Sequence, residues 1–178
     1  MIPDLVLLSI SLFTWGVGEG MFFIFQPIYL QELGADTMAI AGIFSAFGAA
    51  NMLAHIPAGY LADRLGRKPL MLAAWTSGLT APWVLALART LPVFVVGWLR
   101  YGLTAVVSSP LNSYITGASG KYAVGRVMTL MSASFSLGAV IGPLLGGWLG
   151  EQFSMRTIYL VAACIFLVST AILFFLRG

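Results

Sequence analysis

The sequence predicts an all-α integral membrane protein of six transmembrane helices, and three observations carry that prediction. Of 178 residues, 60% are apolar and only 8% charged, whereas a soluble domain carries about 25% charged residues. The mean hydropathy is +0.96. The apolar residues also lie in continuous runs without the period-2 alternation of an outer-membrane strand. Crossing roughly 30 Å of hydrocarbon at 1.5 Å per residue takes about 20 residues. Six runs reach that length, near 5–29, 39–61, 69–88, 92–115, 126–149 and 156–176.

Span 1 follows Met1-Ile2-Pro3-Asp4, which lacks the basic start of a signal peptide, and its apolar run is too long for a cleavable core. Gly34-Ala35-Asp36 ends it. Span 2 runs into the densest charge in the chain, with Asp63, Arg64, Arg67 and Lys68 within six positions. Gly66 suits a tight turn there, and Pro69 suits the first turn of span 3, where its missing N–H has no helical partner anyway. Breakers and charges between Arg89 and Pro92, between Gly117 and Gly125, and between Glu151 and Arg156 separate the remaining spans. Every connection is short.

Basic residues are retained on the cytoplasmic side. Arg64, Arg67, Lys68, Lys121, Arg126 and Arg177 fall on one side, and only Arg89 and Arg156 on the other. Both termini are therefore expected in the cytoplasm, with spans 1, 3 and 5 running outward. The net charge of +3 does not indicate a nucleic-acid binder, because the cations sit singly or in short turns and not along one face. Cys164 is the only cysteine, so no disulfide framework or Cys/His metal site can be built. No cofactor motif is present.

Two motifs and one partial match resemble the major facilitator superfamily of transporters. Gly59-x-x-x-Asp63-Arg64-x-Gly66-Arg67-Lys68 is similar to the superfamily's loop between helices 2 and 3. Gly138-x-x-x-Gly142-Pro143-x-x-Gly146-Gly147 in span 5 resembles the motif of its drug:proton antiporter branches, with Thr129 in place of the distal upstream glycine. Arg100 in span 4 stands where the family often has an arginine, followed here by Leu103 and Thr104. The resemblance implies one half of the superfamily fold, two inverted three-helix repeats, with spans 1 and 4 lining a central cavity. It implies a cytoplasmic gate at the 59–68 loop and a second six-helix half, encoded elsewhere, lost, or supplied by a second copy.

The residues themselves support local readings. Asp63 is placed to accept hydrogen bonds from Arg67 or from a helix N-terminus, as a latch; the same charges also serve as topology signals. Gly138, Gly142 and Gly146 recur every four residues on one face, which allows close helix approach, while Pro143 favours a bend. Trp15, Glu19, Phe22 and Gln26 follow the spacing of one face of span 1. The cost of charge at membrane depth makes Glu19 either a proton- or substrate-coupling group or half of a permanent ion pair, with Arg100 at a similar depth as the obvious partner. Asn51 and His55 lie one turn apart on span 2, either as hydrogen-bonding residues or as a relay. Thr104 and Ser108 continue the line of Arg100, although hydroxyls in helices also satisfy their own backbone.

Together these readings point to a secondary transporter, or its N-terminal half, in the cell membrane. It would move a small solute by alternating access, with proton-coupled export expected first and sugar or metabolite uptake second. The bilayer, a small-molecule substrate, protons and a second six-helix half are the expected partners. A non-transporting membrane subunit that binds a partner through the same packing motifs stays open. No nucleophile motif, metal-ligand spacing or phosphate-cradling loop supports an enzyme.

Overall fold

The computed structural model describes residues 3–176; within them, the side chains of Ala58, Gly59, Ala62, Asp63, Leu65, Arg67 and Lys68 lie outside the description. The described chain forms α1 (Pro3–Phe23), α2 (Gln26–Glu32), α3 (Thr37–Leu65), α4 (Arg67–Leu87), α5 (Leu91–Gly102), a 3₁₀ segment (Leu103–Val107), α6 (Ser108–Ala118), α7 (Val124–Gln152) and α8 (Met155–Phe174). Among the described residues, six stretches are long and apolar enough to cross a membrane. The protein is all-α.

Span 1, expected as one run over 5–29, is two helices. Pro27 has no N–H to donate, and its ring crowds the carbonyl of Phe23, four residues back. The chain answers with a tight turn in which Phe25 N–H donates to Phe22 O at 3.1 Å, and Pro27 becomes part of the first turn of α2. Span 4 is interrupted for a related reason. Pro110 removes the donor for the carbonyl of Val106, and the preceding turn tightens to 3₁₀. By contrast α3, α4 and α7 run through Pro57, Pro82 and Pro143 as continuous helices.

Among the described residues, three connections place a glycine at a positive φ that other residues rarely adopt, one of them Gly120 at φ 54° between α6 and α7. Gly34 at φ 90° ends α2, and Gly66 at φ 85° joins α3 directly to α4. Asp36 then caps α3 by accepting from Ala39 N–H at 2.7 Å, and Ser154 caps α8 by accepting from Thr157 N–H.

The helix α1 is the axis of the bundle, packed along α7 on one side and α8 on another, while α4 packs on α8 and α3 on span 4. Glycine makes the α1–α7 contact close. A Cβ on Gly142 would lie 2.5 Å from Val17 O and 2.8 Å from Gly20 Cα, and one on Gly20 would lie 2.9 Å from Ala139 O. Gly138 and Gly146 face α1 backbone equally tightly, whereas a Cβ on Gly147 would meet only the Phe25 ring at 3.5 Å. An aromatic core of Phe22, Phe94, Trp98, Tyr159 and Phe166, all fully buried, fills the space between α1, α5 and α8.

Candidate functional site

A cavity of about 670 Å³ lies between α1, α3, span 4 and α7, with Trp75 of α4 at its back. Its deep end is near mid-bundle, since Phe47 is about 15 Å along α3 from Thr37. Its shallow end is near the chain termini, since Ile115 and Met128 are each within about 6 Å of a helix end there. Among the described residues, Glu19 is the only acidic side chain in the lining and His55 the only basic one.

Glu19 sits one turn above Trp15 on α1. Its carboxyl group lies beside two potential donors, the Tyr101 hydroxyl and the Trp15 indole N–H, and that one N–H also faces Tyr101. Trp15 is itself held by stacking on Phe166, with centroids 3.9 Å apart, and by the edge of Trp75 at 5.1 Å. The acid therefore sits beside an aromatic frame while remaining accessible from the cavity.

Trp15, Glu19, Asn51, His55, Thr104 and Ser108 all line this cavity. His55 Nδ1 is 2.8 Å from the Asn51 carbonyl oxygen. A carbonyl only accepts, so Nδ1 carries the hydrogen and Nε2 is left for the cavity. The hydroxyls of Thr104 and Ser108 donate to their own helix, to Tyr101 O at 2.6 Å and Ala105 O at 2.7 Å. Their lone pairs remain available for a solute donor.

Gln26 and Arg100 lie elsewhere. Beyond the break in span 1, Gln26 is fully buried and accepts from the Tyr159 hydroxyl at 3.0 Å, so it ties α2 to α8. Phe22 belongs to the aromatic core. Arg100 is exposed and outside the lining. Consecutive helical residues point about 100° apart, and with Tyr101 turned to Glu19, Arg100 faces away. The structure does not bring Glu19 and Arg100 together.

At the 59–68 loop, Arg64 is exposed and stacks over the Tyr60 ring at 4.5 Å. The expected latch between Asp63 and Arg67 lies outside the described side chains, as do those of Gly59 and Lys68. Among the described residues, no group of three His, Cys, Asp or Glu side chains is placed to hold a metal ion.

Tyr101 is the residue that sequence reasoning missed. It lies three and seven positions before Thr104 and Ser108, so extending their helical stripe back one turn reaches it. Ser132 and Ser136 of α7 also line the cavity, on the face next to the glycine seam.

The chain matches the Major Facilitator Superfamily profile over residues 8–178. An uncharacterised MFS-type transporter of Methanocaldococcus jannaschii is 28% identical over 148 residues, covering 83% of this chain and 38% of that protein. The multi-drug resistance efflux pump PmrA of Streptococcus pneumoniae is 26% identical, covering 93% of this chain and 43% of the pump. The multidrug resistance protein MdtG of Salmonella paratyphi A is 23% identical, covering 97% and 44%. The chain thus spans about two fifths of the length of these curated relatives. With the profile matched across nearly its whole length and six apolar spans among the described residues, the chain belongs to the Major Facilitator Superfamily.

Proposed function

We propose that these residues form one six-helix half of a secondary transporter that exports an amphiphilic solute in exchange for protons, with Glu19 as the proton-carrying group. The observation that carries this reading is the placement of Glu19 as the only acid in the cavity lining among the described residues, beside Tyr101 and Trp15 yet open to the cavity. When Glu19 is ionised, the neighbouring Tyr101 hydroxyl and Trp15 N–H can donate to it. When it is protonated, the cavity loses its only formal negative charge, which alters its affinity for a charged solute. That difference is what couples a proton to a solute.

Aromatic and hydroxyl side chains along the walls, including Trp15, Phe47, Phe135, Ser108 and Ser132, suit an amphiphilic molecule. Export is favoured because PmrA and MdtG are named for drug resistance. Both termini are assigned to the cytoplasm of the cell membrane from the excess of Lys and Arg at that end, which makes the cavity inward-facing. A second six-helix unit supplies the opposite wall.

The test is pH-driven transport of a fluorescent amphiphilic dye by the complete assembly in vesicles. Glu19→Gln is expected to abolish accumulation driven by a pH gradient while retaining dye binding. Unchanged gradient-driven transport by Glu19→Gln sinks the proposal.

A further inference from the structure

Span 4 carries a cation for which the described residues provide no counter-charge. Val93, Val96, Arg100 and Leu103 follow the 3, 4, 3 spacing of one helix face. All four are exposed, the apolar three at 49%, 65% and 51%. Arg100 is about 13 Å along α5 from Leu91. A guanidinium at such depth is rare and is stabilised by a carboxylate, by backbone carbonyls or by water.

No hydrogen bond or ion pair among the described residues engages it. Glu19 is turned to Tyr101 and Trp15, Asp36 caps α3, and Glu32 lines a small recess beside Arg156. Asp63 is near the far end of α3. The cavity does not account for Arg100 either, because span 4 lines it through the adjacent face of Tyr101, Thr104 and Ser108.

We propose that this stripe is a docking face for a transmembrane helix from outside residues 1–178, apolar except for one Asp or Glu at the depth of Arg100. An extended, convex, apolar strip with a single charge matches the side of a helix better than it matches a solute. A carboxylate partner satisfies the guanidinium bidentately, and the pair sets the depth register of the two units. The matched relatives leave room for such a helix, since this chain covers only 38–44% of their length. The inference uses the membrane-spanning fold but not proton coupling, so the outcome of Glu19→Gln does not bear on it.

The experiment uses the full assembly in its native membrane, with the exposed Cys164 replaced by Ser. A nitroxide is attached at Val96→Cys or Leu103→Cys with Arg100 retained. Both labels are expected to be immobilised and shielded from lipid-dissolved oxygen and from an aqueous nickel chelate. Arg100→Glu should raise oxygen accessibility several-fold, and Arg100→Lys should change it little. Arg100→Leu, which suits a lipid environment and keeps the helix intact, should show the same rise as Arg100→Glu and covers the case in which the acid prevents folding. High oxygen accessibility with Arg100 in place would mean a lipid-facing arginine that snorkels to headgroups, and high nickel accessibility would mean an aqueous solute wall. Either result overturns the proposal, as does equal shielding in Arg100, Arg100→Glu and Arg100→Leu proteins.

Discussion

The α1–α7 seam and the α3 face use glycine in opposite ways. Along the seam, Gly20, Gly138, Gly142 and Gly146 are buried, and a Cβ at any of them would enter the facing helix. On α3, a Cβ on Gly42 or Gly48 would meet nothing within 4 Å. The apolar window of span 1 is 56% buried and that of span 2 only 11%. One wall of the cavity is therefore set by backbone contact. The opposite wall, α3, packs on span 4, with Phe47 stacked on Trp98 at 4.4 Å and set against Gly102, and leaves its other face open. Small-residue spacing alone does not distinguish the two cases, because what matters is whether a neighbour occupies the space.

The sharpest way to break this contrast is Gly142→Leu. Its side chain would have to displace α1 backbone, so destabilisation should exceed the roughly 1–3 kcal/mol of ordinary overpacking. Loss of monodisperse protein and a collapsed thermal midpoint in detergent are expected, and a wild-type midpoint would show that the seam is not close-packed. Next comes Phe47→Ala, which should cost about 2 kcal/mol for a half-buried ring. It should also loosen α3, read as faster hydrogen exchange in α3 than in α7; equal acceleration in both helices would erase the distinction between the walls.

Tyr101→Phe removes one donor to Glu19, at a cost of about 1.5 kcal/mol for a hydrogen bond to a charged group. Gradient-driven transport by the complete assembly should fall several-fold with little change in thermal midpoint. Wild-type transport by this variant would remove Tyr101 from the coupling site. The smallest effect is expected from Gly48→Ala, neutral or stabilising by up to about 1 kcal/mol through helix propensity. Clear destabilisation there would mean that α3 has a close neighbour after all.

Much of this was legible in the chain. Continuous apolar runs identify six helices, and the 59–68 and 138–147 motifs point to the family that the profile match establishes. Six of the eight coupling candidates line the cavity, because helical spacing places Trp15 with Glu19, Asn51 with His55, and Thr104 with Ser108. Gln26 leaves the face of Trp15 and Glu19 because the turn at residues 24–25 ends α1, and α2 restarts at Gln26 with a new phase. Tyr101 lines the cavity and its neighbour Arg100 does not, because depth along a helix says nothing about azimuth.

The sequence by itself determined the helices, their family, and which helix face carries the polar side chains, because length, hydropathy and the 3.6-residue repeat are local properties. Only the tertiary structure decided that Glu19 meets Tyr101 and not Arg100, that Gln26 belongs to the core, and that one glycine series is a seam and another an open surface. Those outcomes depend on the rotation of each helix about its axis and on which neighbour fills the space beside it, and both are fixed by packing across distant parts of the chain.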